Sequence, residues 1–199
     1  HIEDGRISKI ELNHKEWKDV SGVILAIGHS ARDTFEMLYE RKVPMMAKSF
    51  AVGMRVEHPQ DMINESQYGR NADMTLLPTA AYKVTHQSSN GRGVYSFCMC
   101  PGGYVVNASS EEGRLAVNGM SYRSRDSKNA NSAIIISVTP EDFPKPDHPL
   151  SGVVFQRKLE EAAWKLAEGK VPQQLYADFK ENKKSTGYGS FESCIKGQH

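Results

Sequence analysis

An unbroken apolar run, Val23-Ile24-Leu25-Ala26-Ile27, stands between Gly22 and Gly28. A run of this length between two glycines is typical of a β-strand that is buried on both faces of a sheet. Behind it, apolar side chains recur at the spacing of one helix face, at Ala31, Phe35, Leu38 and Tyr39. Residues 23–42 are therefore predicted to form a strand–turn–helix unit, which is the repeating element of α/β sheets.

This unit has no partner in the rest of the sequence. No later segment reads as a parallel strand, and a single strand–helix unit cannot make a doubly wound sheet. We therefore expect the missing strands to lie in flanking sequence that is absent here. The first residue is His1 rather than Met, which indicates either a processed chain or a piece of a longer protein.

After Pro44 the sequence predicts a different architecture. Residues 49–57 alternate between apolar and other side chains, and the short runs that follow are separated by turn residues such as Pro101-Gly102-Gly103, as in an antiparallel meander. The predicted strands cover residues 49–57, 94–100, 104–108, 114–117 and 132–139. Residues 58–92 are polar and are predicted to form loops.

The last clear element is a helix near residues 155–168. Its apolar side chains share one face, at Phe155, Leu159, Ala162, Ala163, Leu166 and Ala167. Gly169 follows as a stop signal, and no closing element is predicted after Tyr176. The fold class is therefore α+β, an antiparallel sheet meander with flanking helices plus one strand–turn–helix remnant. The predicted division is into residues 1–43 and 44–199.

Charge and composition exclude several classes of function. The net charge of +1 gives no electrostatic case for binding nucleic acid or a membrane surface. No apolar run approaches the roughly 18 residues that a membrane-spanning helix needs. The three cysteines do not make a secreted disulfide framework, so a reducing, cytoplasmic location is expected.

The turn after the apolar run is a candidate anion-binding site. Gly28 lets the backbone turn sharply, and the free N–H groups of a following helix attract an anion, to which Arg32 would add positive charge. Ser30 suits the N-cap of that helix. The plainer interpretation, which the pattern alone favours, is that Gly28, His29, Ser30 and Arg32 form an ordinary strand-to-helix turn. The dinucleotide fingerprint G-x-G-x-x-G is absent.

Two cysteines precede the Pro101-Gly102-Gly103 turn. On a regular strand Cys98 and Cys100 point to the same face, where an i, i+2 pair is poorly placed for a disulfide. They are either packed free thiols or reactive groups beside a base. A metal site would need Cys194 and a histidine as further ligands, and no metal ligand is predicted. The turn itself would bring bare backbone close to a planar ligand.

A third candidate site lies on the first strand after Pro44. Arg55 and Glu57 alternate onto one strand face, and His58 follows them. Together they can form an acid–base or anion-binding group. The alternative is an ion pair on a solvated strand face.

A fourth candidate site follows Val117. Asn118, Ser121 and Arg123 can form a polar loop over a binding site, together with Arg125, Asn129 and Asn131. The alternative is a long hairpin loop with turn-forming asparagines.

Several of these segments resemble a known family. Residues 23–34 resemble the late strand–turn segment of FAD-dependent dehydrogenases. Residues 50–60 (FAVGMRVEHPQ), 95–103 (YSFCMCPGG) and 118–121 (NGMS) are similar, in the same order, to motifs of a large, poorly characterised bacterial and plastid group of such proteins. The matches run from about residue 20 to residue 170.

The resemblance implies an FAD-binding oxidoreductase in which a Rossmann-like flavin domain is interrupted by an inserted substrate domain. The chain then holds part of the flavin domain (residues 1–43) and the insert (44–199). Flavin contacts are implied for Gly28, His29, Ser30 and Arg32. Both nucleotide-binding, glycine-rich segments would lie outside this sequence, so we expect FAD in the full-length protein and neither bound FAD nor activity in the fragment.

Within the insert, we expect Cys98, Cys100, Arg55, Glu57 and His58 to face the flavin or the substrate. Pro101, Gly102 and Gly103 are expected beside the cofactor, and Asn118, Ser121 and Arg123 beside the substrate. The expected partners are the rest of the flavin domain and a small molecule. Two alternatives remain from the residues alone: a binding module without chemistry of its own, or a protein that binds a metal through cysteine and histidine.

Overall fold

The structure is a computed structural model that describes residues 1–196. The chain divides into two compact units. The first is formed by His1–Lys42 and the second begins at Val43.

The first unit contains two short antiparallel hairpins and a helix. Strands β1 (Ile2–Glu3) and β2 (Arg6–Ile7) form one hairpin, β3 (Lys9–Leu12) and β4 (Glu16–Asp19) form the other, and the helix is α1 (Arg32–Glu40). Asp4 and Gly5 connect β1 to β2 with positive φ angles of 48° and 75°. A two-residue type I′ turn requires positive φ at both positions, and Asp-Gly is a favoured pair for it.

The helix predicted in this unit forms, but the strand before it does not. Residues 23–27 belong to no sheet of the described chain, and the Ile24 side chain is 94% exposed. The prediction failed because a strand exists through hydrogen bonds to a neighbour, which an apolar sequence alone does not supply. The helix begins at Arg32, so its N-cap is Ala31 rather than the predicted Ser30, and no side chain caps it.

The second unit contains seven strands and three helices among its described residues. The strands are β5 (Phe50–Pro59), β6 (Thr85–Gln87), β7 (Gly93–Cys100), β8 (Gly103–Asn107), β9 (Val117–Ser121), β10 (Asn129–Val138) and β11 (Ile195–Lys196). The helices are α2 (Gln60–Tyr68), α3 (Ser151–Leu166) and α4 (Tyr176–Lys180), and a 3₁₀ turn covers Pro140–Asp142.

These strands form two sheets, and the α+β class with antiparallel sheets is confirmed. The larger sheet has the order β5-β10-β7-β6 and is antiparallel throughout. The smaller has the order β11-β8-β9, in which β8 and β9 are antiparallel while β11 runs parallel to β8. Strands β7 and β8 follow each other closely in sequence but lie in different sheets. The Pro101-Gly102 turn between them therefore joins the two sheets.

Four local predictions are corrected by the structure. Residues 60–68 form α2 instead of a loop, because Gln60 and Ile63 find buried positions that compensate for the polar sequence. Strand β11 closes the chain where no element was predicted, through pairing with β8 that no local pattern encodes. The strand predicted at 114–117 begins only at Val117, since Leu115 donates its N–H to Glu160 instead. Asn129 and Asn131 lie on β10 rather than in a loop, paired to β5.

Strand β7 is interrupted by a β-bulge at Cys98 and Met99. Asn131 pairs with Cys100 and Ala133 pairs with Phe97, so two residues of β7 oppose Ser132 alone. Cys98 has a φ of 46°, in the left-handed region. The extra residue breaks the alternation of side chains, so the predicted same-face placement of Cys98 and Cys100 is wrong.

Helix α3 confirms the helix predicted near residues 155–168. Its N-terminal half meets an aromatic cluster in which Phe50 stacks on Phe143 with ring centroids 5.1 Å apart, and both rings contact Phe155. Gly152 fits here because a Cβ would come 3.0 Å from the Phe50 ring. Among residues 1–196, no helix has the length and apolar character needed to cross a membrane.

Candidate functional site

A cavity of about 700 Å³ opens in the second unit where three segments meet. Residues 77–79, 99–101 and 119–125 line it. Its volume lies within the range of small-molecule sites in proteins. Two of the three segments contain motifs that the sequence singled out, so the fold brings together residues about 20 positions apart in the chain.

Five residues of the predicted candidate sites line this cavity: Cys100, Pro101, Ser121, Arg123 and Arg125. They meet because β8 and β9 form a hairpin in which Gly103 pairs with Ser121. The Ser121 hydroxyl donates a hydrogen bond of 2.8 Å to the Pro101 carbonyl. This bond fixes the turn after β7 to the start of the 121–125 loop.

Gln60, which was not among the predicted site residues, supports the cavity wall from behind. Its side chain is buried and its Oε1 accepts a 2.7 Å hydrogen bond from the Gly102 N–H. Its Nε2 donates to the Ala80 carbonyl and to Asn64 Oδ1, both at 2.9 Å. One amide therefore satisfies buried backbone groups from two loops that flank the cavity.

The two glycines of the Pro101–Gly103 turn are required by close packing within the protein. Gly102 has a φ of 50°, and a Cβ there would lie 1.8 Å from the Arg125 carbonyl oxygen. A Cβ on Gly103 would come within 2.6 Å of the Met120 carbonyl oxygen. The space beside these glycines is thus occupied by the 120–125 segment, and their contact with a flavin stays a prediction.

Arg55 lies behind the cavity wall. Its Nη2 donates a 2.8 Å hydrogen bond to the Cys98 carbonyl and lies 4.0 Å from the Cys100 Sγ. The Cys100 thiol in turn donates to the same carbonyl at 3.3 Å. The bulge therefore turns the Cys98 carbonyl, rather than its thiol, toward the arginine. Cys100 reaches the cavity, whereas Cys98 is exposed and does not line it.

Asn131 is a second buried polar residue at this wall. It is fully buried, and neither its Oδ1 nor its Nδ2 has a hydrogen-bond partner among residues 1–196. Gly119, which lines the cavity, is the residue next to it. A Cβ on Gly119 would lie 2.3 Å from Asn131 Oδ1 and 2.5 Å from Arg55 Nη2, so only glycine allows both groups to approach the wall here.

Glu57 does not join Arg55, although the two residues share a strand face as predicted. Its Oε1 accepts hydrogen bonds from Asn129 Nδ2 at 2.9 Å and from the Cys194 N–H at 2.5 Å. Its Oε2 accepts a 2.6 Å bond from the Ser193 hydroxyl. Glu57 thus attaches the segment that leads into β11, and the structure shows no convergence of Arg55, Glu57 and His58 into one group.

His58 packs against Tyr82 with ring centroids 5.5 Å apart. Burial lowers the pKa of His58, while the nearby Glu57 carboxylate opposes this effect. Burial also raises the pKa of the Tyr82 hydroxyl. Burial therefore favours the neutral form of both groups, and neither residue lines the cavity.

The remaining predicted residues lie elsewhere. Asn118 is exposed, and its Oδ1 accepts a 2.8 Å hydrogen bond from the Gly119 N–H. Gly28, His29, Ser30 and Arg32 lie in the first unit, where Gly28 has a φ of 72° and the Ser30 hydroxyl lies 3.4 Å from His29 Nε2. The described residues contain no group of three or more metal-ligating side chains.

The sequence indicated Asn131 only as part of a polar loop, and it did not single out Gln60 or the apolar lining of the cavity. Gln60 and Asn131 matter through long-range contacts, which leave no local pattern. Met99 and Met120 each stand beside a residue that was selected, at Cys100 and Ser121. The two methionines could have been selected from their position beside predicted residues, but only if the β8–β9 pairing had been known.

Comparison of the sequence with known proteins gives a family match and a relative. A sequence profile described as "FAD-dependent protein, C-terminal domain-like" matches residues 49–199. The chain is also 53% identical, over 189 residues, to a curated protein of Clostridium beijerinckii that is described as uncharacterized. That match covers 94% of this chain and 35% of the relative. The chain thus spans about one third of the length of the relative it matches.

Proposed function

The chain belongs to the FAD-dependent protein family whose C-terminal domain-like region matches residues 49–199, and from this premise we propose that it is the substrate-side part of an FAD-dependent oxidoreductase. Residues 44–199 shape the pocket over the flavin, and residues 1–43 belong to the flavin-binding domain. The rest of the flavin domain is supplied by the remainder of the full-length protein, since the matched relative is about three times as long as this chain.

The cavity is the observation that carries this proposal. Of the three segments that the resemblance selected in this unit, residues 95–103 and 118–121 contribute to its wall and residues 50–60 support it from behind through Arg55 and Gln60. Motifs that are separate in sequence therefore converge on one feature. A binding site explains this convergence better than packing alone, because the motifs surround an opening rather than a filled core.

The described residues fit one side of a flavin site and not the nucleotide cradle. The cavity combines apolar side chains, Met99 and Met120, with the polar groups of Ser121 and Arg123, as a pocket beside a flat ring and its substrate requires. The sequence holds no G-x-G-x-x-G to receive a pyrophosphate. When FAD is bound, it supplies the electron or hydride transfer. The residues of this chain bind and orient the substrate and exclude water from it.

The exposed apolar run of the first unit supports the proposed partner. Ile24 and Leu25 are 94% and 56% exposed, whereas a five-residue apolar run is normally buried. We propose that these residues pair with strands of the flavin domain in the full-length protein. The resemblance to the strand–turn segment of FAD-dependent dehydrogenases supports this assignment.

The cysteines offer a direct test of the proposal. In the full-length protein, Cys100→Ser is expected to shift the visible absorption bands of bound flavin or to change turnover, because Cys100 lines the cavity. Cys98→Ser is the matched control and should change neither, since Cys98 does not line the cavity. A full-length protein without FAD, or identical spectra and rates for Cys100→Ser and the wild type, would contradict the proposal.

The chain itself offers a second test. Purified alone, the 199-residue chain is expected to be colourless, because the nucleotide cradle is missing. A yellow preparation, whose absorption follows the protein through gel filtration, would show that its flavin contacts are far more complete than proposed.

A further inference from the structure

The charge of the cavity wall indicates which kind of molecule the cavity can bind. Arg123 and Arg125 line the cavity, and no acidic residue does. Within residues 1–196, neither guanidinium forms an ion pair or a hydrogen bond. The nearest acidic residue in sequence, Asp126, accepts a 2.8 Å hydrogen bond from Ser124. The cavity thus presents two uncompensated positive charges.

The backbone at Arg125 is unfavourable for an arginine. Its φ is 50°, a conformation that costs an L-residue about 1–2 kcal/mol and that glycine or asparagine adopts more readily. Its carbonyl oxygen is held against Gly102 and accepts a 3.3 Å hydrogen bond from the Thr79 hydroxyl. The segment is thus fixed by main-chain contacts, and the side chain of Arg125 remains available to the cavity.

Apolar side chains form another part of the wall. Leu77, Met99 and Met120 line the cavity with the arginines, and Met120 is 52% exposed. Methionine side chains adapt to ligands of varied shape. An apolar surface beside two arginines is suited to a molecule with a hydrocarbon body and an anionic end.

Polar groups behind Gly119 complete the site. Asn131 is fully buried with an unpartnered Oδ1 and Nδ2, and Arg55 has an unpartnered Nε. Buried polar groups of this kind are uncommon and call for a bound water or ligand nearby. Gly119 lines the cavity and lies against both groups, and it has no side chain to separate them from the wall.

We propose that the cavity binds a small organic carboxylate with an apolar body, whose carboxylate is held by Arg123 and Arg125. This inference rests on the proposed function, since it names the substrate class of the same cavity. Arginine is the residue best suited to bind a carboxylate through two parallel hydrogen bonds. The apolar body lies against Leu77, Met99 and Met120.

The test uses the full-length protein and three ligands, with binding measured by isothermal titration calorimetry. Octanoate carries a carboxylate and an apolar body, octanol carries the body alone, and inorganic phosphate carries charge alone. Octanoate is expected to bind at least about tenfold more tightly than either of the others. Octanol lacks the charge-assisted contacts, each of which is worth about that factor, and phosphate lacks the apolar body that would be buried. Equal binding of octanol would overturn the role of charge, and equal binding of phosphate would indicate a site for the phosphates of the cofactor instead.

Variants of the two arginines test whether octanoate binds in this cavity. Arg123→Gln combined with Arg125→Asn is expected to weaken octanoate binding at least about tenfold; asparagine is chosen because it tolerates the left-handed backbone. Arg123→Lys keeps the charge but cannot form two parallel hydrogen bonds, so its affinity should lie between those of the wild type and the double variant. Arg70→Gln is the control, since Arg70 is exposed, pairs with Glu65 and lies outside this cavity. Unchanged octanoate affinity in the double variant would overturn the proposal.

Two further measurements separate this inference from the proposed function and from misfolding. Flavin absorbance is recorded on each preparation: a wild-type protein that holds FAD but does not bind octanoate sinks this inference alone, and a wild-type protein that binds octanoate but holds no FAD sinks the flavoprotein proposal alone. The midpoint of thermal unfolding should be the same for the double variant and Arg70→Gln. A double variant that is unfolded is replaced by Arg123→Gln alone, for which the same tenfold criterion holds.

Discussion

At the level of single side chains, Gln60 is expected to contribute to the free energy of unfolding although its side chain is polar. Gln60→Ala leaves the Gly102 N–H and the Ala80 carbonyl without their partner in a buried setting. Each unsatisfied group costs about 1–3 kcal/mol, so we expect the free energy of unfolding, measured with urea, to fall by about 3 kcal/mol. Gln87→Ala is the control, because Gln87 is exposed and makes a single 3.2 Å bond to Gly91. Equal losses for the two variants would contradict this role.

A second prediction concerns Asp142 and pH. Two hydrogen bonds from Arg92, at 2.7 and 2.5 Å, and one from the Thr139 N–H lower the pKa of the Asp142 carboxyl to about 2. Because the folded pKa lies below the ordinary value of 3.8, the carboxylate stabilises the fold above about pH 4. This stabilisation is lost as the pH falls toward 2.

Asp142→Asn tests the assignment. Between pH 5 and pH 2.5 the free energy of unfolding should fall less in this variant than in the wild type, because the titrating group has been removed. Asp147→Asn serves as the control, since Asp147 is exposed in the same loop region. A wild-type pH dependence that persists in Asp142→Asn would assign it to other carboxyl groups.

At the level of elements, the segment before β11 depends on one carboxylate of β5. Glu57→Gln keeps the size of the side chain but replaces one acceptor oxygen by a donor, so the Ser193 hydroxyl and the Cys194 N–H lose charged partners. We expect the Cys194 amide to exchange hydrogen at least about tenfold faster, in line with the worth of a hydrogen bond to a charged group. Hydrogen exchange read by mass spectrometry measures it.

Glu65→Gln is the control for this prediction, because the Glu65 carboxylate pairs with the exposed Arg70 and has no contact with the segment before β11 among residues 1–196. The effect should extend to Lys196, whose Nζ lies 3.9 Å from the Tyr104 ring centroid and 3.3 Å from the Tyr122 hydroxyl. Since Tyr122 lines the cavity, this segment supports one side of it. Unchanged exchange in Glu57→Gln would show that β11 is held by its pairing with β8 alone.

Elements with a strong period were predictable, and those that depend on partners were not. Alternation located β5, a short run between turn signals located β10, and the 3.6-residue period located α3. The face that α3 presents was harder to predict, because Leu159 and Leu166 of the predicted stripe are 47% and 77% exposed. The helix instead engages the 111–115 loop through Arg157 and Glu161, which pair with Glu111 and Arg114. Those ion pairs are specified by residues about 46 positions away and leave no local signal.

The candidate site shows the same division between local and distant information. Cys100, Pro101, Ser121 and Arg123 were found from their types and neighbours, and the structure places them around one cavity. Cys98 was misplaced because a bulge depends on the pairing of β7 with β10 and not on the sequence of β7 alone. Glu57 was separated from Arg55 by a chain segment more than 130 residues away.

At the level of the whole molecule, the run Val23–Ile27 should behave differently in this chain and in the longer protein that we propose. In the 199-residue chain Ile24 is 94% exposed, so Ile24→Asp should change the free energy of unfolding by no more than about 0.5 kcal/mol. In the full-length protein the same residue is proposed to lie within a flavin-binding sheet. A buried, unpaired carboxylate there should cost at least about 3 kcal/mol and reduce the FAD content.

Ile2→Asp is the matched control, because Ile2 is 68% exposed on the short hairpin strand β1 and should be tolerated in both proteins. Thermal unfolding and flavin absorbance of the four variant preparations give the comparison. The comparison between the chain and the full-length protein is decisive, since replacing an exposed side chain does not lower the free energy of unfolding unless a neighbour buries it. If Ile24→Asp is as harmless in the full-length protein as in the chain, no sheet covers this run, and the place of the first unit in a flavin domain must be abandoned.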